Sequence, residues 1–468
     1  MGENKVKILL INPSQADVYG KAFSPDFPPL GLGYIGAVLE REGHKVHILD
    51  FDADRMSNGK IIEFLKKSKP ELVGLTATTP TFNHAVSIAK LVKSVDNIPI
   101  ALGGIHATIL PEKCISNEFI DFVIKSEGEC TAVELARALG NNRDFSSIDG
   151  LFYKNDGKVI QNKDRELIKD LDSLPFPARH LFNQQKYTYP DALYSPAMPI
   201  ITSRGCPGQC IYCCTKLIFG RIFRFRSAKN IVDEIEFLIE KYGVKEIHIH
   251  DDNFTLIKKR VFEFCDEIKK RGIDIAFSLP NGIRVDQVNY EILSSLKKIG
   301  LHSTAFGVES GSQKILNNVK KGTKINQIRR AFKLCKKLKI ETWAFFMFGL
   351  PGDTVKTMRQ TIKFAKELDP DVAKFHILKP YPGTEVFDLL SRQGLILESD
   401  WSKYGIHTKP VHRLPGLNED ELMLMVKDAY RQFYLNPVKI VKEILRMKSY
   451  ARAKLNIKAG LSILQMVK

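Results

Sequence analysis

Short apolar runs alternate with stretches of helical period along the first 140 positions. Residues 5–12 (KVKILLIN) form an apolar run stopped by Pro13, residues 32–42 place apolar side chains at helical spacing, and residues 44–50 (HKVHILD) return to a strand pattern. The rhythm continues with strands over 72–76, 98–102 and 119–125 and a helix over 83–95. This alternation predicts an α/β fold that opens with a Rossmann-like, doubly wound parallel sheet, with ligands at the carboxyl ends of the strands. A hairpin pattern over 149–161 turns at Asn155-Asp156-Gly157, and Pro175 and Pro177 interrupt a connector over 171–182. A second alternation starts near Ala197. Its apolar runs at 200–203, 246–250, 274–279, 303–308, 341–347 and 372–378 predict a partial (β/α)6 barrel, again with its site at the carboxyl ends of the strands. A further amphipathic helix starts at Asn418. The chain thus divides into residues 1–140, a linker with a hairpin over 141–196, the partial barrel over 197–395 and a helical segment over 396–468.

Composition narrows the setting. The eight cysteines of the 468 residues lack the spacing of a secreted disulfide framework, which predicts a reducing cytoplasm. No apolar run reaches the ~18 residues of a spanning helix. The net charge of +17 favours anionic partners, and residues 439–468 hold eight Lys or Arg against the single Glu443. Apolar residues interleave with those cations, so the segment reads equally as an interfacial membrane helix or as a helix packed on the barrel with a solvated basic face.

The chemistry concentrates at residues 204–214, RGCPGQCIYCC. Cys206, Cys210 and Cys213 form a CxxxCxxC triplet in a loop after an apolar run. Three thiolates so spaced can ligate three irons of a cubane cluster and leave the fourth open; buried free thiols or an incomplete zinc site are the plainer readings. Cys214 reads as a packed small residue. At the predicted strand ends of the barrel stand HDDNFT (250–255), NGIRVD (281–286), GVESGS (307–312), FMFGLPGDT (346–354) and KPYPGTEV (379–386). Asp251, Asp252 and Asn253 offer acceptors for an ammonium group, or else cap the helix entering at Lys258. Arg284 offers a partner for a carboxylate. Tyr381 is placed to contact substrate, donate a hydrogen or pack.

The triplet resembles the cluster motif of the radical S-adenosylmethionine superfamily. The resemblance implies that Cys206, Cys210 and Cys213 hold a [4Fe-4S] cluster and that Tyr212 lies against the adenine of S-adenosylmethionine. It further implies Asp251, Asp252 and Asn253 near the methionine ammonium, Glu309 and Ser310 near the ribose, and Gly349 close to the adenosine. The amino-terminal loops resemble those of the cobalamin-binding domain that precedes many such cores. Pro29, Leu30, Gly31, Thr76, Thr78, Thr79, Gly103, Gly104, His106, Glu127 and Gly128 would then surround the corrinoid. No DxHxxG follows the first strand, so no histidine is evident as a lower cobalt ligand, and protein loops would cover that face. His44, His84 and His106 are the histidines near strand ends, each read as a polar loop residue.

The whole chain is similar to the branch that includes the anaerobic magnesium-protoporphyrin ester cyclase and hopanoid-modifying enzymes. That similarity implies methyl transfer to an unactivated carbon of a lipid or other hydrophobic substrate. It also implies an electron donor such as ferredoxin or flavodoxin, peripheral membrane association through the basic tail, and no nucleic acid. Cyclisation or carbon–carbon coupling without methyl transfer is the alternative reaction. A methylthiotransferase would need three amino-terminal cysteines, whereas only Cys114 and Cys130 precede Cys206. A non-enzymatic corrinoid or nucleic-acid-binding protein is the remaining alternative.

Overall fold

The computed structural model describes residues 4–19, 27–141, 144–189, 191–437 and 439–440. Residues 24–26 of the first loop and most of the basic tail lie outside them. The first sheet contains β1 (Lys7–Asn12), β2 (Lys45–Asp50), β3 (Leu72–Thr76), β4 (Ile100–Gly103), β5 (Phe122–Ile124), β6 (Leu151–Asn155) and β7 (Lys158–Gln161) in the order β2-β1-β3-β4-β5-β6-β7. The first five strands run parallel, and β6 and β7 are antiparallel. The predicted hairpin is therefore an extension of this sheet, not part of a linker. Its Phe152 and Tyr153 are buried because β5 is too short to close the core alone.

Helices cover both faces, as the continuous apolar strands require. Leu32 and Leu39 of helix Leu30–Arg41 and Leu135 of helix Glu129–Gly140 bury one face with Ile8 and Leu10. Ile61, Ala85 and Val92 bury the other with Leu9 and Ile11.

The second sheet contains β8 (Ala197–Ile200), β11 (Glu246–Ile249), β12 (Ala276–Ile283), β13 (Leu301–Glu309), β14 (Glu341–Phe348) and β15 (Val372–Ile377). All six are parallel, in the order β15-β14-β13-β12-β11-β8. Between β8 and β11, a two-stranded ribbon pairs β9 (Ser203–Arg204) with β10 (Arg224–Phe225).

The strand expected over 200–203 is displaced toward the amino terminus. Asp251 accepts bonds from the backbone N–H groups of Thr202 and Ser203 at 2.6 and 3.1 Å and from both hydroxyls, which turns this stretch out of the sheet.

Strand β14 shows how the barrel is built. Its even-numbered positions pack against the helices, while Trp343, Phe345 and Met347 stay half-buried on the inner face. The free edge of β15 is covered by helix Glu419–Tyr434, which starts at an Asn418–Glu421 capping box as the sequence predicts. Tyr434 Oη bonds the N–H and carbonyl of Ala373 at 2.9 Å, and the Phe375 N–H donates to Tyr430 Oη at 3.2 Å. Two phenols thus satisfy an edge that would otherwise template strand pairing. No described helix is long and apolar enough to cross a membrane.

The Pro-rich connector is ordered by burial. Ala178 donates its N–H to the Gly33 carbonyl at 2.9 Å. Arg179, 1% exposed, binds the Pro199 carbonyl at 2.6 Å and Glu234 Oε1 at 2.8 Å. Arg226 engages the other oxygen of Glu234 at 2.5 Å.

Candidate functional site

A cavity of about 460 Å³ opens where the carboxyl ends of β1, β3, β4 and β5 face the start of the barrel. Pro29, Gly31, Thr76, Thr78, Gly103, Gly104, Glu127 and Gly128 line it from the first domain. Ser203, Arg204, Phe219, His250 and Asp252 line it from the second. An apolar slot continues between the sheet and the two covering helices, walled by Ile8, Leu10, Gly74, Ala101, Leu39 and Leu135. Glycine keeps this slot open: a Cβ on Gly74 would approach Leu10 Cδ2 to 2.7 Å, and one on Gly128 would approach Ile35 Cδ1 to 2.8 Å.

Three residues expected around the corrinoid do not line the cavity. Leu30 is buried at the start of the helix Leu30–Arg41. His106 is fully buried, its Nδ1 3.2 Å from Thr79 Oγ1 and its ring against Phe82 and Trp401. The apolar wall of the second core captures both His106 and Thr79, and burial lowers the imidazole pKa to about 4.

Behind the cavity, the cluster loop leaves β9 through Gly205, whose φ is +89°. Any side chain there would collide with the Ile222 carbonyl. Cys206, Cys210 and Cys213 are half-buried free thiols. Burial raises the pKa of Cys206 and Cys213, and neighbouring thiols and Asp252 add to it, so bound iron must displace their protons. No three described His, Cys, Asp or Glu side chains converge on one ion. Independently of that, three thiols in one short loop offer one sulfur to each of three irons, which is the donor set a cubane takes.

The strand-end residues divide into engaged and open groups. Asp251 is spent on Thr202 and Ser203, with Arg260 3.5 Å away, so it is a structural lock rather than an acceptor for an ammonium group. Asp252 accepts from the Gly205 N–H at 3.2 Å and Thr215 Oγ1 at 3.3 Å while facing the cavity. Asn253 is fully buried, with neither amide atom partnered among the described residues. None of the three caps the helix Lys258–Lys270, whose N-cap Ile257 makes no side-chain bond.

Glu309 sits at φ +63° and pairs with Lys321 at 2.7 Å. Burial opposes the Lys321 charge, but Glu309 and then Cys210 more than offset it, which places this cation beside the cluster loop. Tyr212 is raised well above the ordinary phenol range by burial and then by Glu309. Ser310 Oγ lies 3.2 Å from Thr361 Oγ1 and accepts the Ser312 N–H, a local turn contact. The Gly349 carbonyl lies 2.9 Å from His412 Nε2. The Tyr381 hydroxyl donates to the Tyr404 carbonyl at 3.1 Å instead of standing free at the barrel mouth. Arg284 pairs with Asp286 and with the Lys321 carbonyl.

Sequence reasoning missed Arg204, His250 and Lys321. Arg204 stood inside the motif without an assigned task. The other two had no signal apart from their places at a strand end and in a turn.

A cavity between a doubly wound sheet and the strand ends of a partial barrel, with Arg204 on its wall leading directly into a three-cysteine loop, is an arrangement suited to a corrinoid and a cluster. The chain matches the B12 binding domain over residues 16–136 and the radical SAM superfamily over residues 200–365. It is 36% identical over 94% of its length to an uncharacterised methyltransferase of Pyrococcus horikoshii, covering 95% of that protein. It is 30% identical over 92% of its length to the anaerobic magnesium-protoporphyrin IX monomethyl ester cyclase of Rubrivivax gelatinosus, covering 78% of it. Among solved structures, the fold resembles the cobalamin-dependent S-adenosylmethionine radical enzyme OxsB with aqua-cobalamin and S-adenosylmethionine bound. That likeness has a TM-score of 0.77 at 18% identity and covers 99% of this chain and 72% of that one.

The chain belongs to the cobalamin-binding branch of the radical SAM superfamily. It is an enzyme whose cofactors are a [4Fe-4S] cluster, S-adenosylmethionine and cobalamin. The observed residues fit these groups: three free thiols in one short loop for the cluster, and a glycine-kept slot between the first sheet and its helices, opening at the strand ends, for the corrinoid.

Proposed function

We propose that the enzyme transfers a methyl group to an unactivated carbon of a hydrophobic small molecule. The continuity of the cavity carries this reading, because it is lined from one side by the corrinoid cradle and from the other by Asp252 and Arg204 at the cluster loop. Together the bound cofactors supply an adenosyl radical, which requires an external reductant, and a transferable methyl group. The chain's own residues set the geometry. Asp252 would hold the amino group of S-adenosylmethionine, Tyr212 with the Glu309–Lys321 pair lies beside the thiols, and His250 faces the cavity.

Burial lowers the His250 pKa to about 3, so this imidazole faces the cavity uncharged at neutral pH. Ferredoxin or flavodoxin is the proposed electron donor. The basic segment 439–468 is proposed to hold the enzyme at an anionic membrane surface. Flotation with anionic vesicles checks this; recovery of the full-length chain only at the bottom of the gradient refutes it.

An anaerobic assay of reduced, cobalamin-loaded protein with S-adenosylmethionine and candidate hydrophobic substrates tests the reaction. Formation of both 5′-deoxyadenosine and S-adenosylhomocysteine supports methyl transfer. Deoxyadenosine alone supports cyclisation or coupling, the reading that the magnesium-protoporphyrin cyclase relative favours.

A further inference from the structure

A buried ion network crosses from one wall of the cavity to the other. Arg204, two residues before Cys206, donates Nη1 to Glu127 Oε1 at 2.7 Å and Nη2 to Glu129 Oε1 at 2.6 Å. Arg224, its partner in the β9–β10 ribbon, donates Nη1 to both oxygens of Glu127 at 3.0 and 2.7 Å. The Ile168 N–H fills the remaining approach to Glu127 at 2.8 Å. Side-chain exposure across the four residues is 4 to 11%. The carboxylate of Glu127, expected to touch the corrinoid, is therefore fully engaged with protein donors.

The network has a direction. Residues 126–129 form part of the cavity wall at the end of β5, and Ser126 Oγ also bonds the Ile218 carbonyl across the interface at 2.9 Å. On the other side, Arg204 leads into Gly205, whose N–H is held by Asp252 at 3.2 Å and which lies against the Ile222 carbonyl with no room for a Cβ. A guanidinium fork fixes two carboxylates in one plane, which a single ammonium cannot do. Displacement of the 126–129 loop must therefore move the cluster loop or break buried charge pairs.

We infer that Arg204, Glu127, Glu129 and Arg224 are positioning residues that join the corrinoid cradle to the cluster loop, so that each cofactor tightens the binding of the other. The inference rests on the reading of the cavity as the corrinoid's. By linkage the effect is reciprocal, and couplings of this kind typically change affinity by at least about fivefold.

Titration of hydroxocobalamin into iron-free and cluster-reconstituted full-length protein tests it. The cluster-loaded form is expected to bind at least about fivefold more tightly, and hydroxocobalamin is expected to alter the electron paramagnetic resonance signal of the reduced cluster. Arg204→Lys and Glu129→Gln should each retain both cofactors and bring the affinity ratio close to one. Equal affinity in the two forms of the unaltered chain overturns the coupling, as does an unchanged ratio in both variants. Failure of both forms to bind hydroxocobalamin overturns the corrinoid reading itself.

Discussion

Asp251 and Asp252 are adjacent in HDDNFT, yet the fold gives them opposite tasks. Asp251 faces inward and ties down Thr202 and Ser203, while Asp252 faces the cavity. A sequence shows two acceptors there and cannot rank them, because the deciding donors lie 48 and 49 positions away. The cysteine triplet was legible for the opposite reason: cluster ligation demands a local spacing. Replacement of Cys206, Cys210 and Cys213 by alanine together should reduce reconstituted iron from about four atoms per chain to none, read by iron assay. Glycine positions were legible only as permissive. The slot walled by Gly74 predicts that Gly74→Val weakens hydroxocobalamin binding at least about tenfold, because Leu10 already leaves no room for a Cβ. Unaltered affinity in an otherwise folded variant would place the corrinoid tail elsewhere.

At the scale of elements, hydrophobic periodicity located most strands of both sheets and the helices over 32–42, 83–95 and from Asn418, because each of these buries a continuous apolar face. It failed where polar side chains redirect the backbone. The run at 200–203 is apolar enough for a strand, but Asp251 pulls its second half into the ribbon that carries Arg204. The hairpin was found but assigned to a linker, since only the short β5 shows that the sheet needs it. Nor does the connector reveal its anchor, Arg179, which joins Arg226 on the wholly buried carboxylate of Glu234. Glu234→Ala would leave two buried guanidinium groups without their counter-charge. The variant should lose about 3–5 kcal/mol of stability in urea unfolding. A loss below about 1 kcal/mol, the value of a surface pair, would mean that water reaches this site.

Across the whole molecule, the order of domains was legible, whereas the joint between them was not. The two sheets meet through side chains distant in sequence, such as Glu127 with Arg204 and Arg224, 77 and 97 positions apart. Burial on this scale also makes stability depend on pH. His106 and His412 are both 0% exposed, and burial lowers each to a pKa of about 4. Lys113 adds to the effect at His106; at His412 the Gly349 carbonyl partly opposes it.

An unfolded imidazole titrates near 6.5, so between pH 6.5 and 4 the unfolded chain binds protons that the folded chain refuses. The stability these neutral rings contribute is fully present above pH 6.5 and is lost as pH falls through about 4. Each histidine should therefore remove about 2 kcal/mol between pH 7 and 5. His106→Gln keeps a neutral polar side chain beside Thr79 and cannot take up the proton. Its stability should fall by about 2 kcal/mol less than that of the unaltered chain over this interval, measured by urea unfolding at both pH values. Equal losses would show that the His106 site admits the charged ring, and that the second core of the first domain opens well before the chain unfolds.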